Sequence, residues 1–180
     1  MLKNIRIKAL QDNYIWILQD RHKKCIIIDP GDAKKVINII IKKKLVPKII
    51  LITHYHKDHI QGIKKLLIQY SNKKIYGPQF INKKYFFVTP CFSFTKLYLL
   101  KHIFIVLHTP GHTNHDISYF ISPFLFCGDI LFSGGCGKVL TGKYKDMFNS
   151  ISLINFLPNN TKICSGHEYT LKNLLFSKKY

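Results

Sequence analysis

The 180-residue sequence predicts an α/β fold, and three observations carry that prediction. Short apolar runs such as Cys25-Ile26-Ile27-Ile28 and Ile49-Ile50-Leu51-Ile52 have the length and branching of buried strands. Between them, apolar residues recur at spacings of three and four, the period of a helix with one buried side. The two patterns alternate as strand, helix, strand, helix, the order that builds layered α/β structures.

Residues 3–9 alternate only loosely. Tyr14-Ile15-Trp16-Ile17-Leu18 and Cys25–Ile28 read as two strands joined by a polar hairpin loop, Gln19 to Lys24. Asp29-Pro30-Gly31-Asp32 stops the second strand, and Asp32 is placed to cap a helix from Ala33 to Lys44. Val36, Ile37, Ile40 and Ile41 form the inner face of that helix. After Pro47 the next strand runs to Ile52, and Ile60, Ile63, Leu67 and Tyr70 then predict a second helix to about residue 70. Lys74–Pro78 reads as a strand and turn. The aromatic stretch Phe86 to Leu100 has no clean period and is expected to be β structure. Strands follow at Ile103–Leu107, Ile117–Phe120 and Leu125–Cys127. Met147, Phe148, Ile151 and Ile154 predict a third helix over 146–157, and Lys162–Cys164 is a last short strand.

Composition narrows the class. Hydrophobic residues at 47% with charge at 21% describe a globular chain. No apolar run approaches the ~18 residues of a membrane span, and no signal-like segment opens the chain, so a cytoplasmic protein is expected. The five cysteines are scattered and show no C-x-x-C pair, which suits reduced thiols. The net charge of +19 comes mostly from lysine in short surface-like runs, with only two arginines. Nucleic-acid readers lean on the arginine fork, so a solvated basic surface is the first expectation.

Chemistry concentrates in Thr53-His54-Tyr55-His56-Lys57-Asp58-His59. His54 and His56 sit two apart at a strand end, so extended backbone points both imidazoles the same way. Three imidazoles and a carboxylate within six residues form the nitrogen and oxygen set that zinc or iron takes. Apolar strands lead to a potential ligand three more times, at His112, Asp129 and His167. Ligands at adjacent strand ends are expected to converge on one edge of a sheet.

The heptad matches in full the T-H-x-H-x-D-H motif and so resembles the metallo-β-lactamase superfamily. Thr109-Pro110-Gly111-His112-Thr113, Phe126-Cys127-Gly128-Asp129, Ser133-Gly134-Gly135-Cys136-Gly137 and Gly166-His167-Glu168-Tyr169-Thr170 look like the glyoxalase II, or hydroxyacylglutathione hydrolase, family. Asp12-Asn13-Tyr14 and Asp29-Pro30-Gly31-Asp32 do so as well. The resemblance implies an αββα sandwich in which His54, His56 and His112 hold one divalent metal and Asp58, His59 and His167 another. Asp129 bridges them, and Asp58 and Asp129 act in catalysis. Zinc is the expected metal, with iron and manganese as alternatives. The implied reaction is hydrolysis of S-D-lactoylglutathione by a metal-bound hydroxide, the second step of methylglyoxal detoxification. Lys138 and Tyr169 match positions that touch glutathione. No protein nucleophile is required, so Cys127 and Cys136 are expected to be buried structural residues.

The sequence departs from the family's G-H-T-x-G-H pattern, because His115 stands at its glycine and Asp116 at its second histidine. Asp116 is expected to hydrogen-bond an imidazole of the site instead. Leu140 replaces an aromatic residue. Family members continue into a helical C-terminal domain that contacts glutathione, whereas this sequence ends at Tyr180. Residues 1–180 are therefore expected to be one catalytic domain, monomeric, without that helical domain. No nucleic-acid or membrane partner is expected. An RNA-processing nuclease of the same superfamily and a metal-binding remnant with little activity are the competing readings.

Overall fold

The computed structural model describes residues 2–71, 73–84 and 87–179, with only the backbone described at 82–84. The chain opens with β1 (Lys3–Ala9), β2 (Asn13–Gln19), β3 (Lys24–Ile28), α1 (Ala33–Lys43) and β4 (Val46–Leu51). Helices α2 (Lys57–Ile60) and α3 (Ile63–Gln69) lead to β5 (Lys74–Pro78), α4 (Gln79–Lys84) and β6 (Thr89–Cys91). The second half holds β7 (Lys96–Leu99), β8 (His102–His108), β9 (Ile117–Ile121), β10 (Phe124–Gly128), β11 (Leu131–Phe132) and β12 (Gly135–Cys136). It closes with α5 (Tyr144–Asn155), β13 (Lys162–Ser165) and α6 (Thr170–Ser177).

Strands β1 to β6 form one sheet in sequence order, and a second sheet has the order β13-β10-β9-β8-β7. In β3 and β4 the two-residue period divides the core. Cys25, Ile27, Ile50 and Ile52 face the α1–α3 layer, while Ile26, Ile28, Ile49 and Leu51 face the second sheet. Leu125 and Cys127 of β10 point outward to meet Met147 and Ile154 of α5. Helix, sheet, sheet and helix therefore stack as the αββα sandwich. Both faces of the central strands are covered, which is why they read as unbroken apolar runs.

Local expectations hold with corrections. Asp32 caps α1 by accepting from the Lys35 amide at 3.1 Å, and Lys44 ends it in the left-handed region. Ile41, expected on the inner face of that helix, is 64% exposed, and so is Phe148 of α5 at 71%. The single helix expected to end near residue 70 is two pieces, broken between Ile60 and Ile63. The loosely alternating residues 3–9 form β1, paired antiparallel with β2 from Lys3↔Gln19 to Ala9↔Asn13. Of the aromatic stretch read as β structure, Phe86 lies outside the described residues; the rest holds β6 and β7, edge strands of different sheets. No helix of the described residues is long and apolar enough to cross a membrane.

Candidate metal centre

The ligand-bearing segments meet at one end of the sandwich, drawn from both sheets. The residues after β4 come from the first sheet, and those after β8, β10 and β13 from the second. This corrects the single sheet edge expected from the strand ends. Backbone hydrogen bonds stitch the sheets there. The Ile117 amide donates to the Thr53 carbonyl at 3.0 Å, and the Tyr14 amide to that of Gly166 at 2.7 Å.

All seven candidate ligands lie in one cluster, in overlapping groups of His54, His56 and His112, of His54, His59 and Asp129, and of Asp58, His59 and His167. The donor atoms of each group lie within 4.8 Å of one another. His56 Nδ1 stands 3.1 Å from His54 Nε2 and 2.9 Å from His112 Nε2. Asp129 is central: its oxygens approach Nε2 of His54 at 4.0 Å, His112 at 3.5 Å, His59 at 3.4 Å and His167 at 3.3 Å. Asp58 Oδ2 faces His59 Nε2 at 3.4 Å and His167 Nε2 at 3.3 Å.

Four of the five imidazoles have their outer nitrogen held. His112 Nδ1 donates to the Lys138 carbonyl at 2.7 Å, His59 Nδ1 to Asp29 at 3.1 Å and His167 Nδ1 to Asp12 at 2.8 Å. His54 Nδ1 lies 3.1 Å from the Thr53 hydroxyl. A proton fixed on the outer nitrogen leaves the inner Nε2 lone pair for a metal. Asn13 completes the surround by donating to Asp58 Oδ2 at 2.7 Å. Two glycines make the packing possible. A Cβ on Gly166 would sit 2.2 Å from Asp129 Oδ1, and Gly128, at φ +53°, brings its own missing side chain against Thr53 Oγ1 at 2.4 Å, so no larger residue fits either place.

The electrostatics suit cations. Burial drives the His54 imidazole well below its ordinary pKa, the neutral form that a ligand needs. Burial also opposes a charge on His59 and His167, yet Asp129 and their other carboxylate neighbours push both upward, His167 to about 10. The His167 hydrogen bond holds the Asp58 carboxyl well below the usual range. Burial works against the charge of Asp129, but His59 and His167 keep it ionised. A field that stabilises protons on imidazoles stabilises divalent cations in the same place. Asp129 Oδ1 is buried without a hydrogen bond, an orphan that a bound cation would satisfy. The residues present fit a divalent metal.

Other expected residues fare unevenly. Tyr169 stacks on His167, ring centroids 5.0 Å apart and planes within 10°. Lys138 is exposed, and its backbone carbonyl, not its ammonium, is what the structure ties to the cluster. Among the described residues Asp116 accepts from no imidazole; it turns back to accept from the Thr113 amide at 2.6 Å and from the Thr113 hydroxyl. Burial lifts its carboxyl to about 7. His115 stacks on Phe80 at 4.7 Å, and Leu140 is exposed. Cys127 is buried, with its thiol pushed up to about 12, but Cys136 is exposed on the β11–β12 hairpin, contrary to expectation. Asp12, Asn13, Asp29 and Thr53 had no assigned role in the sequence. Their signals are position, as polar residues bordering apolar strands, and membership of the family-like stretches Asp12-Asn13-Tyr14, Asp29-Pro30-Gly31-Asp32 and the heptad.

A model of the metallo-β-lactamase superfamily matches residues 9–82. The chain is 49% identical to the hydroxyacylglutathione hydrolase of Buchnera aphidicola subsp. Baizongia pistaciae, over 99% of this chain and 71% of that protein. It is 45% identical to the protein of the same name from Pectobacterium atrosepticum, over 96% of this chain and 68% of the relative. Among solved structures, the BLEG-1 B3 metallo-β-lactamase superposes with a TM-score of 0.83 at 26% identity, covering 92% of each chain.

Proposed function

The chain belongs to the hydroxyacylglutathione hydrolase family, within the metallo-β-lactamase superfamily, and from that premise we propose that it hydrolyses S-(2-hydroxyacyl)glutathione thioesters. S-D-lactoylglutathione is the substrate we assign, with glutathione and D-lactate as products. That is the second step of methylglyoxal detoxification. One observation carries this: five imidazoles and two carboxylates converge with their inner donors free, and partners fix the outer nitrogen of four of the imidazoles.

His54, His56 and His112 would hold one divalent ion and Asp58, His59 and His167 a second, with Asp129 shared. Zinc suits this nitrogen and oxygen set, and iron and manganese are accepted by the same donors. When bound, such a pair supplies Lewis acidity, bringing the pKa of a shared water near neutrality and polarising the thioester carbonyl. The chain's own residues do the rest. Asp58, held ionised and tethered by Asn13, would orient the attacking water through a hydrogen bond. Tyr169, which stacks on His167, and Lys138 are the residues we assign to contact with the glutathione moiety. Cys127 is buried with a raised thiol pKa and takes no part as nucleophile. Residues 1–180 constitute the catalytic domain, which we place in the cytoplasm as a monomer; its free cysteines agree with a reducing compartment.

The deciding experiment is turnover of S-D-lactoylglutathione by metal-loaded protein, followed as loss of thioester absorbance and release of free thiol. Thiol release in step with thioester loss is expected. No turnover by protein carrying two metals per chain would overturn the assignment.

A further inference from the structure

Resting on the glutathione-thioester reading, we propose that Lys172 is a substrate-binding cation on the rim of the metal centre, receiving a carboxylate of the glutathione moiety. The chain carries 26 lysines, but geometry ties this one to the cluster. Its ammonium stands 5.4 Å from the centre of the Tyr169 ring, and that ring lies flat against His167 at 5.0 Å. Lysine and tyrosine are three residues apart at the start of α6, a spacing that puts them on one side of the helix. The Lys172 Nζ is also 3.7 Å from Asp12 Oδ2, whose other oxygen takes the His167 proton. Helix α6 is anchored in turn, because Asn173 Nδ2 donates to the Ser133 carbonyl on the β11–β12 hairpin at 2.9 Å. A cation, an aromatic face and a cluster imidazole therefore form one row of successive contacts.

The ligand chemistry matches this row. A thioester held at the ligand cluster leaves the two arms of the tripeptide to run outward, each ending in a carboxylate. Each residue spans about 3.3–3.6 Å when extended, so the carboxylate that ends each one-residue arm lies beyond the cluster, toward its rim. Lys172 is 73% exposed and its contact with Asp12 is longer than a hydrogen bond, so its N–H donors can turn to a ligand while the aromatic face keeps the side chain in place. Such a contact weakens with salt.

The test uses metal-loaded protein at low ionic strength and two probes, S-methylglutathione and the same molecule with both carboxylates esterified. Lys172→Ala is expected to weaken S-methylglutathione binding about threefold to fivefold by calorimetry, as suits an exposed charge pair, and to leave ester binding unchanged. Lys172→Arg should restore binding of the acid. In turnover of S-D-lactoylglutathione the change should fall on KM rather than kcat. An equal penalty on acid and ester would overturn the proposal and assign Lys172 to the support of Asp12. No penalty on either would overturn it too. Wild-type protein that neither binds S-methylglutathione nor turns over the thioester would defeat the underlying function as well. Wild-type turnover with an unchanged KM in Lys172→Ala defeats only the role of Lys172.

Discussion

Asp29→Asn tests the site's hydrogen-bond logic without changing its shape. Asp29 is buried beneath the cluster. Its Oδ1 accepts from the Thr53 amide at 2.8 Å, and its Oδ2 accepts from the Thr53 hydroxyl at 2.6 Å and from His59 Nδ1 at 3.1 Å. Because the Thr53 proton goes to Asp29, the hydroxyl oxygen is left to accept from His54 Nδ1 at 3.1 Å. An asparagine that keeps its oxygen toward the Thr53 amide puts an NH₂ group where Oδ2 stood. That group can only donate. His59 must then present a lone pair at Nδ1 and carry its proton on Nε2. The Thr53 hydroxyl, now accepting from the amide, turns its proton toward His54 and forces the same exchange there. Flipping the amide sets two donors face to face at the Thr53 N–H. One isosteric change thus places N–H groups where two ligands need lone pairs. Each lost outer support costs about 10–100-fold in metal affinity. Two together predict a loss of about 10²–10⁴, or roughly 3–5 kcal/mol. Loss of the charge-assisted bonds should also lower the unfolding free energy by about 1–3 kcal/mol. Zinc affinity by chelator competition measures the first effect, and nitrogen NMR of labelled histidines reads the tautomers directly. Metal affinity within threefold of wild type, or unchanged tautomers, would refute the reasoning.

Three further outcomes follow from the same geometry. Asp129→Ala removes the carboxylate that faces four imidazoles, so elemental analysis should find less than one metal per chain, whereas His56→Ala, which enters a single donor group, should retain one. Gly166→Ala forces a methyl to 2.2 Å from Asp129 Oδ1 and 2.8 Å from His59 Cε1; a loss of about 1–3 kcal/mol in urea unfolding is expected, with metal content reduced. Wild-type stability there would show that the end of β13 shifts freely. Tyr119→Phe removes a buried hydroxyl that donates to the Ile52 carbonyl at 2.9 Å and lies 3.2 Å from that of Tyr76, so it should cost about 1–3 kcal/mol of stability while metal content stays at the wild-type level.

The ligands were legible because each follows an apolar strand, and a strand buried on both faces announces itself as an unbroken run. Ile49–Ile52 leads to His54, and Phe124–Gly128 to Asp129. The supporting residues stood out only within family-like stretches, and their roles were not legible, because Asp29 and Asn13 have the composition of ordinary turns. Only the fold brings Asn13 to Asp58, 45 positions away, and Asp29 to His59. Helix α6 left no pattern to find, since none of its residues is buried and its leucines show no inner face. Strand β1 was obscured for a related reason. It lies at a sheet edge, where Lys3 and Arg6 are accepted among apolar neighbours because one side faces water. Asp116 misled in the opposite direction. A carboxylate at a position known for a supporting histidine suggests support, yet both of its oxygens are taken by the Thr113 amide and hydroxyl, so it closes that turn instead.

The ligands come from two sheets, and this bears on how the site keeps its shape. A cluster of five imidazoles and two carboxylates, most of them buried away from water, would open to solvent if its segments were independent. They are not independent. The Thr53 carbonyl that precedes His54 is fixed to β9 by Ile117, the Gly166 carbonyl that precedes His167 is fixed to β2 by Tyr14, and Asn13 bridges to His167 itself. These bonds lie in the buried seam between the sheets, where a backbone group without a partner is costly. Moving one histidine outward therefore means breaking a seam bond as well as an outer-nitrogen bond. The frame that folds the sandwich is the same frame that holds the donors of each ligand group within 4.8 Å of one another. Binding a metal then requires little rearrangement of the chain, and Asp29→Asn, which alters protons but not the frame, isolates the share of metal affinity that the imidazole tautomers supply.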